Sequence, residues 1–236
     1  MGLCELSLKD GMFFLTIAGD GDGDGENYLT TEEFIAELEQ KLKEIRGRCR
    51  PSSKGLVTIF AGSIRDGGGD GAVDYDTAAY RTAEAVRALF DMPIPTAAAV
   101  AGDVRSSLAL SLVLAHDDMC VRDEAVFEVP DVLRDGRRLS HTYLLAALLR
   151  DKASYSYPMT VSGMVLQSKA MKGSDLSYWE WTECVGDSRE SVTARATSIV
   201  GTSIGKVRDG KAYVATRKSF FPESWKAVSE FLGDKP

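Results

Sequence analysis

The stretch Leu108-Ala-Leu-Ser-Leu-Val-Leu-Ala-His116 constrains this chain more than any other. A helix that is apolar on nearly every side must be enclosed by other elements, so this one predicts a core helix with structure packed all round it. Ser106 and Ser107 offer hydroxyls to cap its start. Upstream, Pro93-Ile94-Pro95 fixes an extended approach, Thr96–Val100 is short enough for a buried strand, and Gly102-Asp103 breaks it. Downstream, Met119–Val121 and Ala125–Phe127 read as two short strands, closed by Glu128-Val129-Pro130-Asp131. An acid therefore stands just beyond a strand, near a helix whose first N–H groups have no intrahelical acceptor. Such donors, aligned with the helix dipole, suit a developing oxyanion.

The rest of the chain permits this centre to sit in one α/β domain. Its 236 residues are 44% hydrophobic and 27% charged, which is ordinary for a folded soluble protein. A net charge of −7 gives no electrostatic reason to expect nucleic acid. Cys4, Cys49, Cys120 and Cys184 are widely spaced without a Cys-x-x-Cys, so neither a zinc site nor a disulfide framework is indicated. No run reaches transmembrane length, and the start Met1-Gly-Leu-Cys-Glu-Leu6 matches neither a signal peptide nor a myristoylation site. No membrane association is expected. The end Gly233-Asp-Lys-Pro236 lacks a Ser-Lys-Leu address, leaving cytoplasmic or peroxisomal residence as the expectation.

In chain order, Cys4–Leu8 and Met12–Ala18 predict a hairpin split by Asp10-Gly11. Asp20-Gly-Asp-Gly-Asp-Gly25 suggests a calcium loop, but the twelfth loop position is Thr31, so a solvated turn is expected and no metal. Thr30-Thr-Glu-Glu33 is a capping box for an amphipathic helix to Arg46, followed by a basic turn and a buried strand Gly55–Phe60. Tyr75–Asp91, Leu139–Leu149, Val161–Lys172, Leu176–Val185, Ser188–Val200 and Lys211–Trp225 read as helices. Tyr178-Trp-Glu-Trp181 could line a pocket, though aromatics there read more simply as core or subunit contact. Gly201-Thr-Ser-Ile-Gly205 matches a nucleophile elbow literally, but a helix rather than a strand precedes it and no histidine follows. His116 reads as a structural histidine.

Pro93-x-Pro-Thr, strand, Gly, apolar helix, His116-Asp117, strand, Pro130-Asp131 resembles the crotonase superfamily of enoyl-CoA hydratases and isomerases. The likeness is nearest to the plant peroxisomal Δ3,Δ2-enoyl-CoA isomerases and covers nearly the whole chain, including Phe14–Ile17 and Tyr213–Pro222. It implies an α/β fold of repeated ββα units, with a core over 1–186 and a helical C-terminal region of the same domain over 187–236. It also implies a CoA thioester as substrate, no further cofactor, and assembly as a trimer or hexamer.

Carried over by position, the resemblance makes Asp131 the acid/base and the amides of Asp66 and Leu108 the oxyanion hole. Arg65, Gly68, Asp70 and Lys218 fall in the segments that would hold CoA. Hydration favours two carboxylates gripping a water, and the resemblance locates them at Ser111 and Asp131; with only the second present, a double-bond isomerase is expected. Asp131 stands where the family usually has Glu, and Leu108 where it has a Gly-rich turn. The alternative is a crotonase-fold protein that has lost or redirected its activity toward another ligand or protein contacts.

Overall fold

The computed structural model describes residues 3–17, 27–28, 31–65, 74–129, 133–134, 137–138, 141–152, 158–178, 181–184, 186–203 and 209–233. The chain runs β1 (Cys4–Lys9), β2 (Met12–Ile17), β3 (Asn27–Tyr28), α1 (Glu32–Arg48), β4 (Gly55–Phe60), β5 (Ile64–Arg65), α2 (Tyr75–Phe90), β6 (Thr96–Val100), β7 (Val104–Arg105) and α3 (Ser107–Leu114). It continues β8 (Asp118–Val121), β9 (Val126–Phe127), β10 (Leu133–Arg134), β11 (Arg137–Arg138), α4 (Thr142–Lys152), α5 (Pro158–Gln167), β12 (Met171–Lys172), α6 (Gly173–Tyr178) and β13 (Glu183–Cys184). Three helices close it: α7 (Arg189–Ser203), α8 (Gly210–Phe220) and α9 (Pro222–Phe231).

The order of strands reveals a repeated unit. One sheet runs β1-β2-β4-β6-β8-β13 and a second runs β12-β9-β7-β5-β3. Each unit contributes one strand to the first sheet, the next to the second, and then a helix, as in β4-β5-α2 and β6-β7-α3. Within these two sheets pairing is parallel except at β1–β2 and β12–β9, and β10 and β11 form a separate antiparallel pair. The opening hairpin turns at Asp10 (φ 51°) and Gly11 (φ 81°), and positive φ at both turn positions matches the twist of a tight two-residue turn.

Strands covered on both faces should read as continuous apolar runs, and β4 and β6 are buried at every position. Successive residues face opposite ways. Leu56 and Phe60 join the main core with α1, α2 and α3, while Val57, Ile59, Ala97 and Ala99 meet Val192, Ala196 and Val200 of α7. The helical C-terminal region is thereby continuous with the sheet, and α9 packs on α2 and α4.

Several boundaries differ from the sequence expectations. The helix expected over Val161–Lys172 is α5, ending at Gln167, and Met171-Lys172 becomes β12 against β9. The helix expected over Leu176–Val185 divides into α6 and β13, which pairs with β8. The basic helix expected over Lys211–Trp225 breaks at Phe221, because Pro222 cannot continue the α8 ladder and starts α9 instead.

Candidate active site

Two glycines bring the pieces of the site together. A Cβ on Gly102 would lie 2.2 Å from the carbonyl carbon and oxygen of Gly62, so the backbones leaving β6 and β4 touch directly. Ile64 N–H donates to Asp103 O at 2.8 Å and Asp103 N–H to Ser63 Oγ at 3.3 Å, which pins the two connections side by side. Register then aligns Tyr28, Arg65 and Arg105 across β3, β5 and β7. Ile64 and Val104 point inward, whereas Arg65 is exposed and Arg105 half-buried.

Beyond β7 the chain enters α3. Ser106 is the N-cap, its Oγ accepting from Ala109 N–H at 3.0 Å, and Leu110 N–H takes Ser106 O. Among the described residues, no acceptor meets the N–H of Ser107 or Leu108. Those two donors stand at the positive end of a wholly buried helix. Ser107 Oγ lies 2.5 Å from Tyr75 Oη at the first residue of α2. One turn on, Ser111 Oγ lies 2.9 Å from Ser107 O and 2.6 Å from His141 Nε2.

Charge at the mouth is arranged around Arg105. Its guanidinium reaches Asp103 Oδ2 at 3.1 Å and Glu128 Oε2 at 3.6 Å, while Asp103 Oδ1 accepts Val126 N–H at 3.0 Å. Two carboxylates thus hold the Arg105 guanidinium beside the β7–α3 turn.

The far end of α3 is a structural anchor. His116 Nδ1 is 2.9 Å from Leu112 O and Nε2 is 2.8 Å from Thr58 Oγ1, so the ring donates to the helix and accepts from the sheet. Burial pushes its pKa down to about 4. This is the satisfied structural histidine expected from sequence. For Asp117, burial raises the pKa, but the charge and hydrogen bonds of Arg217 outweigh it and hold the carboxyl below its usual range.

Of the residues carried over by resemblance, Asp66, Gly68, Asp70 and Asp131 lie outside the described residues. Leu108 is in the first turn of α3, and Arg65 ends β5, which pairs with β7 just ahead of that helix. Lys218 is elsewhere: its Nζ pairs with Asp91 at 2.6 Å and stacks over Trp225, at the end of α2 remote from Tyr75. Sequence reasoning missed Tyr75 and His141. The available signal was Ser107 and Ser111, two hydroxyls four residues apart on one face of an otherwise apolar helix. Gly201-Thr-Ser203 ends α7, with Ser203 Oγ donating to Ile199 O, so a helix and not a strand leads into this serine; Ile204 and Gly205 lie outside the described residues. No helix among the described residues is long and apolar enough to cross a membrane.

The fold is the crotonase fold of the enoyl-CoA hydratases. An enoyl-CoA isomerase from Mycobacterium tuberculosis superposes with a TM-score of 0.76 at 14% identity, covering 98% of this chain and 96% of that one. An enoyl-CoA hydratase from Mycobacterium ulcerans gives 0.76 at 14% identity over 98% and 97%. In sequence, the chain is similar to enoyl-CoA delta isomerase 2, peroxisomal, of Arabidopsis thaliana: 27% identical over 236 residues, 94% of this chain and 93% of that protein. Enoyl-CoA delta isomerase 3 of the same plant is 25% identical over 240 residues, 96% of this chain and 95% of that protein. No family model matches the chain.

Proposed function

We propose that this chain processes acyl-CoA thioesters and, more specifically, that it is an enoyl-CoA isomerase moving a double bond through an enolate. Asp131 takes the C2 proton, the N–H groups of Asp66 and Leu108 hold the oxygen that becomes negative, and Asp131 returns a proton at C4. The thioester is the substrate, and this chemistry requires no further cofactor. The observation that carries the reading is the N–H pair at the start of α3, unaccepted among the described residues, in a chain similar over nearly its whole length to two delta isomerases.

Ser111 supports isomerisation over hydration. Its hydroxyl is engaged between Ser107 O and His141, and it supplies no second carboxylate to grip a water. For the CoA phosphates, Arg65, on the strand paired with β7 just ahead of α3, is better placed than Lys218 at the C-terminal end of α2. Trimeric or hexameric assembly belongs to the same proposal; exposed Tyr178 and Phe220 would suit a subunit contact, and sedimentation at several concentrations tests it.

A second reading, a fold redirected to another ligand, is favoured by Arg105 bridged to Asp103 and Glu128 where acyl-CoA would have to approach backbone. Calorimetry with CoA and turnover of a 3-enoyl-CoA separates the two. Binding with turnover is expected; no binding at millimolar CoA would sink the isomerase and favour the second reading.

A further inference from the structure

Ser111 has one hydroxyl proton and two possible acceptors for it, Ser107 O at 2.9 Å and His141 Nε2 at 2.6 Å. Donation to the carbonyl four residues back is the usual choice of a serine inside a helix. Oγ then accepts from His141 Nε2–H. The opposite assignment would strand Nδ1–H in the core, because His141 is fully buried and its Nδ1 has no hydrogen-bond partner among the described residues. A buried donor without a partner is rarer than a buried acceptor without one. Burial also keeps the ring neutral, pushing its pKa down to about 4, so the Nε2–H tautomer persists across the neutral range.

The carbonyl at the end of this string belongs to the peptide whose other end is the Leu108 N–H. We infer that His141 and Ser111 are positioning residues for that N–H: the string His141 Nε2–H···Oγ–H Ser111···O=C Ser107 polarises the peptide and fixes its plane. This rests on Leu108 as an oxyanion donor, the reading proposed above. Ser107, Ser111 and His141 are all nearly or fully buried, and hydrogen bonds in series strengthen one another where water is excluded. Tyr75, 2.5 Å from Ser107 Oγ, holds the side chain of the same residue. The donor is therefore set before any ligand arrives, the condition under which an oxyanion hole is most effective.

The test begins on ligand-free protein. Long-range ¹⁵N–¹H correlation spectra should show His141 as the Nε2–H tautomer, neutral down to about pH 5. Ser111→Ala should move the Leu108 amide proton upfield. On a 3-enoyl-CoA, Ser111→Ala and His141→Phe should lower kcat about three- to tenfold with KM unchanged, less than the roughly hundredfold lost with an entire oxyanion donor. His141→Gln, whose amide can still donate to Ser111, should keep most of the rate. An Nδ1–H tautomer, or a Leu108 amide unmoved by Ser111→Ala, overturns the inference. If both ligand-free signatures hold while wild type turns over no 3-enoyl-CoA, the string stands and the isomerase reading falls.

Discussion

Arg217 Nε lies 2.5 Å from Asp117 Oδ1 and Nη2 lies 2.7 Å from Oδ2, joining α8 to the turn that ends α3. The same guanidinium donates to the carbonyls of Leu89, Phe90, Met92 and Ile94, so one side chain also ties down the connection from α2 to β6. Asp117 accepts in turn from Thr96 N–H and Tyr213 Oη–H. Arg217 is 3% exposed. Deleting one partner of such a pair leaves the other charge buried, so Arg217→Met should lower unfolding free energy by roughly 3–5 kcal/mol in denaturant titration. Arg217→Lys should rescue little, because one ammonium with three donors cannot replace a guanidinium that meets six acceptors. A loss below about 1 kcal/mol in either variant would refute the anchor, since that is the range of an exposed pair.

The two buried histidines make stability sensitive to mild acid. Both have pKa values pushed down by burial to about 4, whereas an unfolded histidine titrates near 6.5. The unfolded chain therefore binds more protons between those values. Stability should be full above about pH 6.5 and fall by up to roughly 1.4 kcal/mol per pH unit for each histidine on the way to pH 4. The depressed pKa of Asp117 adds a further loss only below about pH 4. His116→Gln should reduce the slope of this profile in urea titrations from pH 7 to 4. An unchanged slope in that variant would show that His116 is not responsible.

Gly102→Ala tests the contact on which the site is built. The added methyl group would stand 2.2 Å from Gly62 backbone, and no side-chain rotation can relieve it. Overpacking of this kind costs roughly 1–3 kcal/mol, to be read as a lowered unfolding midpoint. Because β5 and β7 are paired through this junction, any CoA binding should weaken as well. Gly47, exposed on α1 with nothing within 4 Å of its Cβ position, is the control: Gly47→Ala should be neutral or stabilising.

Much of this architecture was legible in the sequence because burial and period coincide there. The apolar run through Leu108–His116, the strand Gly55–Phe60 and the five small residues Thr96–Val100 could fit only enclosed positions, and all are buried. The two-residue strands β12 and β13 were not legible. Met171-Lys172 and Glu183-Cys184 carry no strand pattern of their own and pair only because β9 and β8 present open edges. The break at Phe221 was within reach, since Pro222 announces it. Within the candidate site, the buried, serine-capped start of α3 was legible, whereas Asp131 lies outside the described residues. Tyr75 and His141 lie 32 and 30 residues from the serines they meet, and local spacing cannot reveal such pairs.

Asp131 carries the sharpest consequence of the proposed chemistry. It is the acid that both the sequence pattern and the resemblance place at the reacting carbon, and Ser111 offers no carboxylate in its support. Asp131→Asn keeps the shape and any CoA affinity while removing the proton carrier, so turnover of a 3-enoyl-CoA should fall by about a hundredfold or more. Binding should survive. Asp131→Glu separates two histories of the same site: the longer acid should raise turnover if reach limits the enzyme, because a misplacement of about 1 Å can itself cost a hundredfold. It should do nothing or harm if the pocket is shaped around aspartate. Equal turnover by wild type and Asp131→Asn on every acyl-CoA tried would instead remove Asp131 from the proposed chemistry and leave it the local role that aspartate commonly takes after proline.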